Sequence, residues 1–565
     1  MASPADKLFD LVAEPRARGE KAARLARALD RLARLASRDV AALIRLHDRL
    51  LFLAAYPPSR LMRRKAEALL DRMPELVARL EAAGADFSPF DEPEVAGVAG
   101  TTITTDFSFD LARWLRDRHR RRVSIEWDAL DAADRMRASW PEFLPLLEEE
   151  ALADANVPYR TWLRAAAGSR SGEAGWLLDR YGRLPLSPAA RGERWDSLGA
   201  PIEWRLGRTP ASRTLMRRPG PPLFLHREPL LARRDFALEA VFAGPRLAVR
   251  RLSRRQGERV CAMVREATAA RYREFYTFTY ADPASVLAAR PGRGVEVFLL
   301  GILPEHRLPL RAAYGGFVVK NGIPVGYIEG LAFFERLEIG FNVYYAFREG
   351  ESAWLYAQVL KFHREALGVT SFSIDPYQLG FGNEEAIESG AFWFYRKLGF
   401  RPTDPGVAER VGREERRMTS DPSYRSSRRT LAALVTHNLL YEVPETPSGD
   451  WDRFHVRNLG LLVNRRMRSG HGGSAERLRT VSQGRVAKAL DLRPAGLSPL
   501  ERRAFAEFAL VLNGVANLGR WTKAEREGVA DIVRAKAGRS ERAYLRRMQR
   551  HPRLREALIK LGSGR

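Results

Sequence analysis

One cysteine, Cys261, is the whole thiol content of this 565-residue chain. No intrachain disulfide can hold such a fold, and a reducing compartment suits it. Long apolar stretches are also missing. Runs such as LLFLAAY and VFLLGIL are far too short for a bilayer span, so no membrane helix is expected. Asp6 and Asp10 stand where a signal peptide would be apolar, which makes the cytoplasm the expected location. The nine histidines show no His-x-x-x-His spacing, and no metal site is expected. The His-Gly-Gly-Ser run at 471–474 reads as a loop, because no Gly-Lys-Ser/Thr follows it as a phosphate cradle would require. Helical repeats of fixed period, zinc-finger spacing, RNA-binding aromatic signatures and basic heptads are absent as well.

What is present is a globular composition, 45% hydrophobic and 10% aromatic, with a net charge of +25. That charge invites a nucleic-acid partner. Arginine with abundant alanine, leucine and glycine is also what a GC-rich coding sequence produces, so nucleic acid is the less favoured partner. His119-Arg-Arg-Arg122 is dense, whereas acidic residues interrupt the stretch from Arg413 to Arg429 as on a solvated surface.

Four segments follow. Residues 1–90 read as helical, with Leu25, Leu29, Leu32 and Leu35 at helical spacing and Pro57-Pro58 before a helix at about 60–83. Residues 91–235 are mixed and mainly helical, with helices near 108–117 and 141–150 and a Pro/Gly/Arg-rich linker from about 207 to 223. Residues 406–565 are helical again, through Phe505, Phe508, Ala509 and Leu512 and then 521–537.

The segment 236–405 differs. Phe317 to Lys320 and Ile323 to Tyr327 flank Asn321-Gly322, the strongest short hairpin pattern. Leu337, Ile339, Phe341, Val343 and Tyr345 alternate with polar or small partners as a further strand. Leu355, Val359, Phe362 and Ala366 then stripe a helix over 353–367 that Gly368 stops. Val369 to Asp375 alternates again and closes on Asp375-Pro376. Last comes AFWFYRKLGF at 391–400, a short aromatic helix that delivers Tyr395 to a corner at Gly399-Phe400.

Ala391, Tyr395, Gly399 and Phe400, after strands and a crossover helix in this order, resemble the last helix of the GNAT acyltransferase superfamily, Ala-x-x-x-Tyr-x-x-x-Gly-Phe. The family's first strand and helix would fall on 246–252 and about 255–273, so the resemblance covers roughly 236–405. It implies a GNAT-like mixed sheet with helices in the centre; flanked by the mainly α-helical N- and C-terminal regions read above, the chain is expected to be α+β. The resemblance also implies transfer of an acyl group from acetyl-CoA or another acyl-CoA to an amine on a small molecule or protein.

By the same resemblance the coenzyme's pyrophosphate would lie on the turn Arg348-Glu-Gly350-Glu351-Ser352-Ala353, with Val343, Tyr344 and Asn383 as further contacts. The family's central glycine is here Glu351. Facing a phosphate at about 4 Å it would cost roughly 4 kcal/mol at an effective dielectric of about 20. Pointing outward it would favour the helix by roughly 0.3–1 kcal/mol.

The chemistry needs a base, oxyanion donors and an acid. Glu338 is the candidate base and Asp375 the second, with a turn-capping role for Asp375 as the plainer reading. Backbone N–H groups near Asn342 to Tyr344 would be the donors, and Tyr395 the acid. Glu384, Glu385 and Glu388 near the acceptor mouth would suit a cationic acceptor, or simply an acidic first helical turn. The alternatives are a GNAT-like binding or scaffold protein that has lost the donor, and an aminoacyl-tRNA-dependent transferase whose basic surface holds RNA. The sequence does not name the acceptor or the oligomeric state.

Overall fold

Asn321 and Gly322 take φ values of 48° and 83°. That positive pair is what a two-residue type I′ turn needs, and a β-hairpin forms there with arms at Ala312–Lys320 and Ile323–Phe333. The computed structural model of the protein describes residues 20–36, 38–132, 135–136, 159–444 and 450–564. Packing divides the chain into two units. One comprises Met1–Pro229, Ala262–Thr279 and Asn321–Pro324; the other comprises Leu230–Cys261, Tyr280–Lys320 and Val325–Arg565. No helix among the described residues is long and apolar enough to cross a membrane.

The first unit begins with helices α1 (Glu20–Ala36), α2 (Val40–Ala55), α3 (Arg60–Leu70) and α4 (Met73–Ala82). Asp39 caps α2 through the N–H groups of Ala41 and Ala42, and Ser59 caps α3 through that of Met62. The helix expected over 60–83 is therefore two. Leu25, Leu29 and Leu32 are buried, whereas Leu35 stays 43% exposed. Then come β1 (Thr102–Thr105), α5 (Phe109–Arg118), β2 (Val123–Ile125), α6 (Trp127–Ala132), α7 (Tyr159–Arg183, interrupted at Gly168 and Gly172), α8 (Pro188–Leu198) and β3 (Ile202–Arg205). The helix expected near 141–150 lies outside the described residues. The strands pair antiparallel in the order β1-β3-β2. Each is too short for alternation to register in the sequence. Trp195, Trp204 and Tyr181 fill this unit's core.

The second unit is built on a nine-stranded sheet. Its elements are α9 (Leu238–Ala243), β4 (Arg250–Arg251), α10 (Arg254–Ala269, whose residues from Ala262 on belong to the first unit), β5 (Leu287–Gly292), β6 (Val295–Gly301), β7 (Ala312–Lys320), β8 (Ile323–Phe333, in this unit from Val325 on) and β9 (Arg336–Val343). After these come α11 (Ser352–Leu367), β10 (Ser371–Ile374), α12 (Pro376–Leu379), α13 (Glu384–Glu388), α14 (Ala391–Lys397), β11 (Arg401–Pro402), α15 (Pro405–Ser420), α16 (Arg428–Leu434) and β12 (Leu439–Glu442). The strand order is β11-β12-β10-β9-β8-β7-β6-β5-β4. β10 runs parallel to β9 through the crossover helix α11, and β12 slots antiparallel between β10 and β11. The sheet thus extends past residue 405, where the sequence pattern had turned helical.

Helices α17 (Val456–His471), α18 (Ala475–Leu490), α19 (Pro499–Leu512), α20 (Lys523–Ala537), α21 (Glu541–Gln549) and α22 (Pro552–Gly562) complete this unit. They are fastened to the sheet. Buried Lys536 donates to the Arg311 carbonyl (2.8 Å) and pairs with Glu541 (2.7 Å), while Gln549 donates to the carbonyls of Phe334 and Leu367.

Helix α11 is buried on nearly every side and ends on Gly368 at φ 76°. Its His363 is fully enclosed, with Nδ1 bonded to the Val359 carbonyl and Nε2 without a partner among the described residues. Burial pushes the imidazole down from 6.5 to about 4. A depressed histidine pKa means that the unfolded chain takes up the proton first as pH falls. The folded state should therefore lose about 3 kcal/mol between pH 6.5 and pH 4 from this group. Urea midpoints measured across that window should fall less in His363→Leu than in the wild type.

Candidate functional site

β9 and β10 pair at only three positions, Arg336 with Ser371, Leu337 with Phe372 and Glu338 with Ser373. Beyond Glu338 they part: β9 runs on to Val343, whereas β10 stops at Ile374. The Tyr344 N–H is donated to the Val325 carbonyl (3.0 Å). Antiparallel backbones alternate, so the even-numbered N–H groups of β9 face β8. The N–H groups of Phe341 and Val343 consequently point toward the side that β10 has left.

On the face of the sheet that carries Arg336 and Glu338 lies a cleft of about 360 Å³. Arg311, Arg336, Glu338, Asp375, His455 and Arg457 give it its charge, and Leu331, Phe333 and Phe454 its apolar wall. The segment 450–457 is held there by Glu335, whose carboxylate accepts from the Trp451 indole N–H (2.8 Å) and from Arg555. Arg336 lies against the Trp451 and Phe454 rings and donates to Ser373 Oγ (2.9 Å) and the Phe454 carbonyl (3.2 Å). The Glu338 carboxylate sits 3.2 Å from Arg311 Nη1 and 4.0 Å from Arg336 Nη2. Burial, then Arg457, Arg336 and His437, hold the His455 imidazole below its usual range.

Two residues the sequence reading missed complete this face. Glu329 on β8 stands directly opposite Gly340 of β9, so both lie on the side that bears Glu338. It is half-buried and has no hydrogen-bond or ion-pair partner among the described residues. Burial alone raises its carboxyl above the usual range. Gln378 lies over Gly340, where a Cβ would meet its carboxamide at 3.3 Å. Alternation along Tyr327, Glu329, Leu331 and Phe333 could have exposed Glu329, had the strand been followed past Tyr327.

Of the residues expected to act, the cleft brings together Glu338 and Asp375. Asp375 also caps α12, accepting from the Tyr377 N–H at 2.9 Å. Tyr395 is not among the residues that line the cleft. Only 4% exposed, its ring packs against Tyr356, Phe394 and Phe400, and burial raises its phenol pKa. The apolar stripe of α14 draws it toward the aromatic side of α11.

The turn expected to hold a coenzyme also differs from expectation. Glu351 neither faces a phosphate position nor points outward. It is fully buried, pairs with Arg293 and Lys320 (3.1 Å), and accepts from the Leu231 N–H (3.1 Å). Burial, opposed by Glu351, brings Lys320 down to about 8. Two cations thus answer one carboxylate, and the repulsion estimated for a phosphate there does not apply. The N–H groups of Ser352, Ala353 and Trp354 open α11 without acceptors inside the helix.

Arg348 is tied to Glu385 (2.5 Å) and lies over the Tyr345 ring. The Gly350 N–H goes to the Phe347 carbonyl, and the Ser352 hydroxyl donates to the Arg348 carbonyl. Ala353 is buried, and the Val343 N–H faces the gap, whereas that of Tyr344 is spent in the ladder. Asn383 caps α13 through the Ala386 N–H. Glu384 pairs with Arg428 and Glu385 with Arg348, so these carboxylates do not line the cleft. Among the described residues no group of three or more His, Cys, Asp or Glu side chains is disposed to hold a metal ion.

Comparison of the chain with family models, with curated proteins and with solved structures gives no match.

Proposed function

We propose that the second unit is an acyl-CoA-dependent N-acyltransferase of the GNAT type. The observation that carries this reading is the parting of the parallel strands β9 and β10 after Glu338, beside a cleft that holds carboxylates. The thioester would lie in the gap with its carbonyl oxygen toward the Val343 N–H, and the amine would arrive from the cleft. Nitrogen attacks the carbonyl carbon and the C–N bond forms; the C–S bond then breaks, and the second proton of the attacking nitrogen passes to the departing sulfur, so that amide and free thiol result. Before attack the ammonium must give up a proton.

Glu329 suits that task better than Glu338. Glu338 is taken up by Arg311 with Arg336 nearby, while Glu329 has no partner among the described residues and burial raises its carboxyl pKa, which suits a group that must accept a proton. Glu338 then acts by fixing Arg311 and Arg336. The N–H groups of Ser352 to Trp354, with Glu351 already neutralised, would receive the pyrophosphate. Tyr395 has a packing role in this scheme.

Thermal-shift titration with acetyl-CoA tests the donor. At a hundredfold excess over Kd, binding adds about 2.7 kcal/mol, so the midpoint should rise by a few degrees. No rise at saturating coenzyme would leave the second reading, a binding protein without donor chemistry, which the pairing of Arg348 with Glu385 favours.

A further inference from the structure

We propose that the acceptor amine carries an oxyanion, a carboxylate or phosphate, and that Arg336 and Arg457 bind it in the cleft; this substrate class rests on the acyltransferase reading above. Three arginines face two carboxylates there, and Glu338 is already engaged by two of them. The Arg336 side chain is 9% exposed, yet among the described residues its Nη2 makes no hydrogen bond and has the Glu338 carboxylate at 4.0 Å. Arg336 lines the cleft, so a buried guanidinium with a donor to spare stands at its wall.

Arg457 carries the same message from the opposite wall. It has no partner among the described residues. It occupies the first turn of α17, the end of the helix where the backbone dipole disfavours a cation. That turn contains no acidic residue, and the side chain of His455 at the cap accepts no backbone N–H. The helix start is therefore arranged against its own stability and for an external anion. The α17 end is also rigidly held, because Asn458 donates to the Gly562 carbonyl and the His455 N–H does the same.

Geometry limits the ligand's length. Arg336 and Gly340, opposite which Glu329 stands, lie four residues apart on β9, about 13 Å of backbone. Arg336 lines the cleft, and Glu329 stands on the same face of the sheet, beyond the cleft's lining. A flexible chain of several atoms would join an amine near Glu329 to an oxyanion near Arg336. Glu384 and Glu385, paired elsewhere, do not oppose this.

Calorimetric titration of the full chain, without coenzyme, with ε-aminocaproate, the aminoalkyl phosphate of equal chain length and hexylamine tests the inference. The carboxylate or the phosphate should bind at least tenfold tighter than hexylamine, and whichever binds tighter identifies the oxyanion. Arg457→Glu should reduce that affinity at least tenfold while the thermal midpoint holds or rises, since an acidic residue suits a helix start. Equal binding of all three compounds, or an unchanged affinity in Arg457→Glu, would overturn the inference. Anion-selective binding without acetyl transfer from acetyl-CoA would support the site and refute the enzyme.

Discussion

Glu329→Gln is expected to lower acetyl transfer by about 10²–10⁴-fold and at the same time to raise the thermal midpoint at neutral pH. Both effects come from one property. Burial without a partner raises the carboxyl pKa in the folded state above its ordinary 4.5. The folded chain then holds this proton more tightly than the unfolded chain does. The associated stability is complete below pH 4.5 and is lost as pH rises through the folded value. At pH 7 the protein keeps a desolvated carboxylate that glutamine does not impose. Midpoints of the two proteins should converge in acid and diverge as pH rises, while wild-type turnover climbs through the same interval. Loss of activity together with lower stability would point to a structural role instead.

Glu351→Gly restores the glycine that the resembling family carries, and it should destabilise the protein by about 3–5 kcal/mol. The change removes the carboxylate that answers Arg293 and Lys320, and Lys320 is wholly enclosed. The Leu231 N–H loses its acceptor as well. A buried ammonium without its partner is the expensive outcome, so Lys320→Met in the Glu351→Gly background should recover part of the loss. Urea unfolding followed by fluorescence would show it. A destabilisation below about 1 kcal/mol would place Glu351 in solvent exchange rather than in a closed ion pair.

Local pattern carried a good deal of this structure. Asn321-Gly322 fixed the β7–β8 turn because few residue pairs accept two positive φ angles. Gly368 marked the end of α11 for the same reason, and alternation from Leu337 to Tyr345 located β9. Glu338 lies on β9 and Asp375 follows β10 as the cap of α12, and both line the cleft. Charge partners are decided by tertiary packing. Glu384 and Glu385 form the acidic first turn of a helix, one of the two readings their pattern allowed, and arginines distant in sequence, Arg428 and Arg348, take up their charge. Arg457 and His455 approach the cleft from a helix more than 110 residues beyond β9, a juxtaposition that no spacing rule encodes. β12 is four residues long, and its place between β10 and β11 is fixed by pairing alone. Tyr395 shows the opposite failure: a motif position was legible, but the aromatic neighbours that enclose it were not.

Amide hydrogen exchange with and without acetyl-CoA, read residue by residue along 336–357, tests the central claim most directly. The account expects added protection at Val343 and at Ser352 to Trp354, where N–H groups face the gap or open α11. Unchanged exchange at those amides under saturating coenzyme, with protection appearing elsewhere or nowhere, would contradict it.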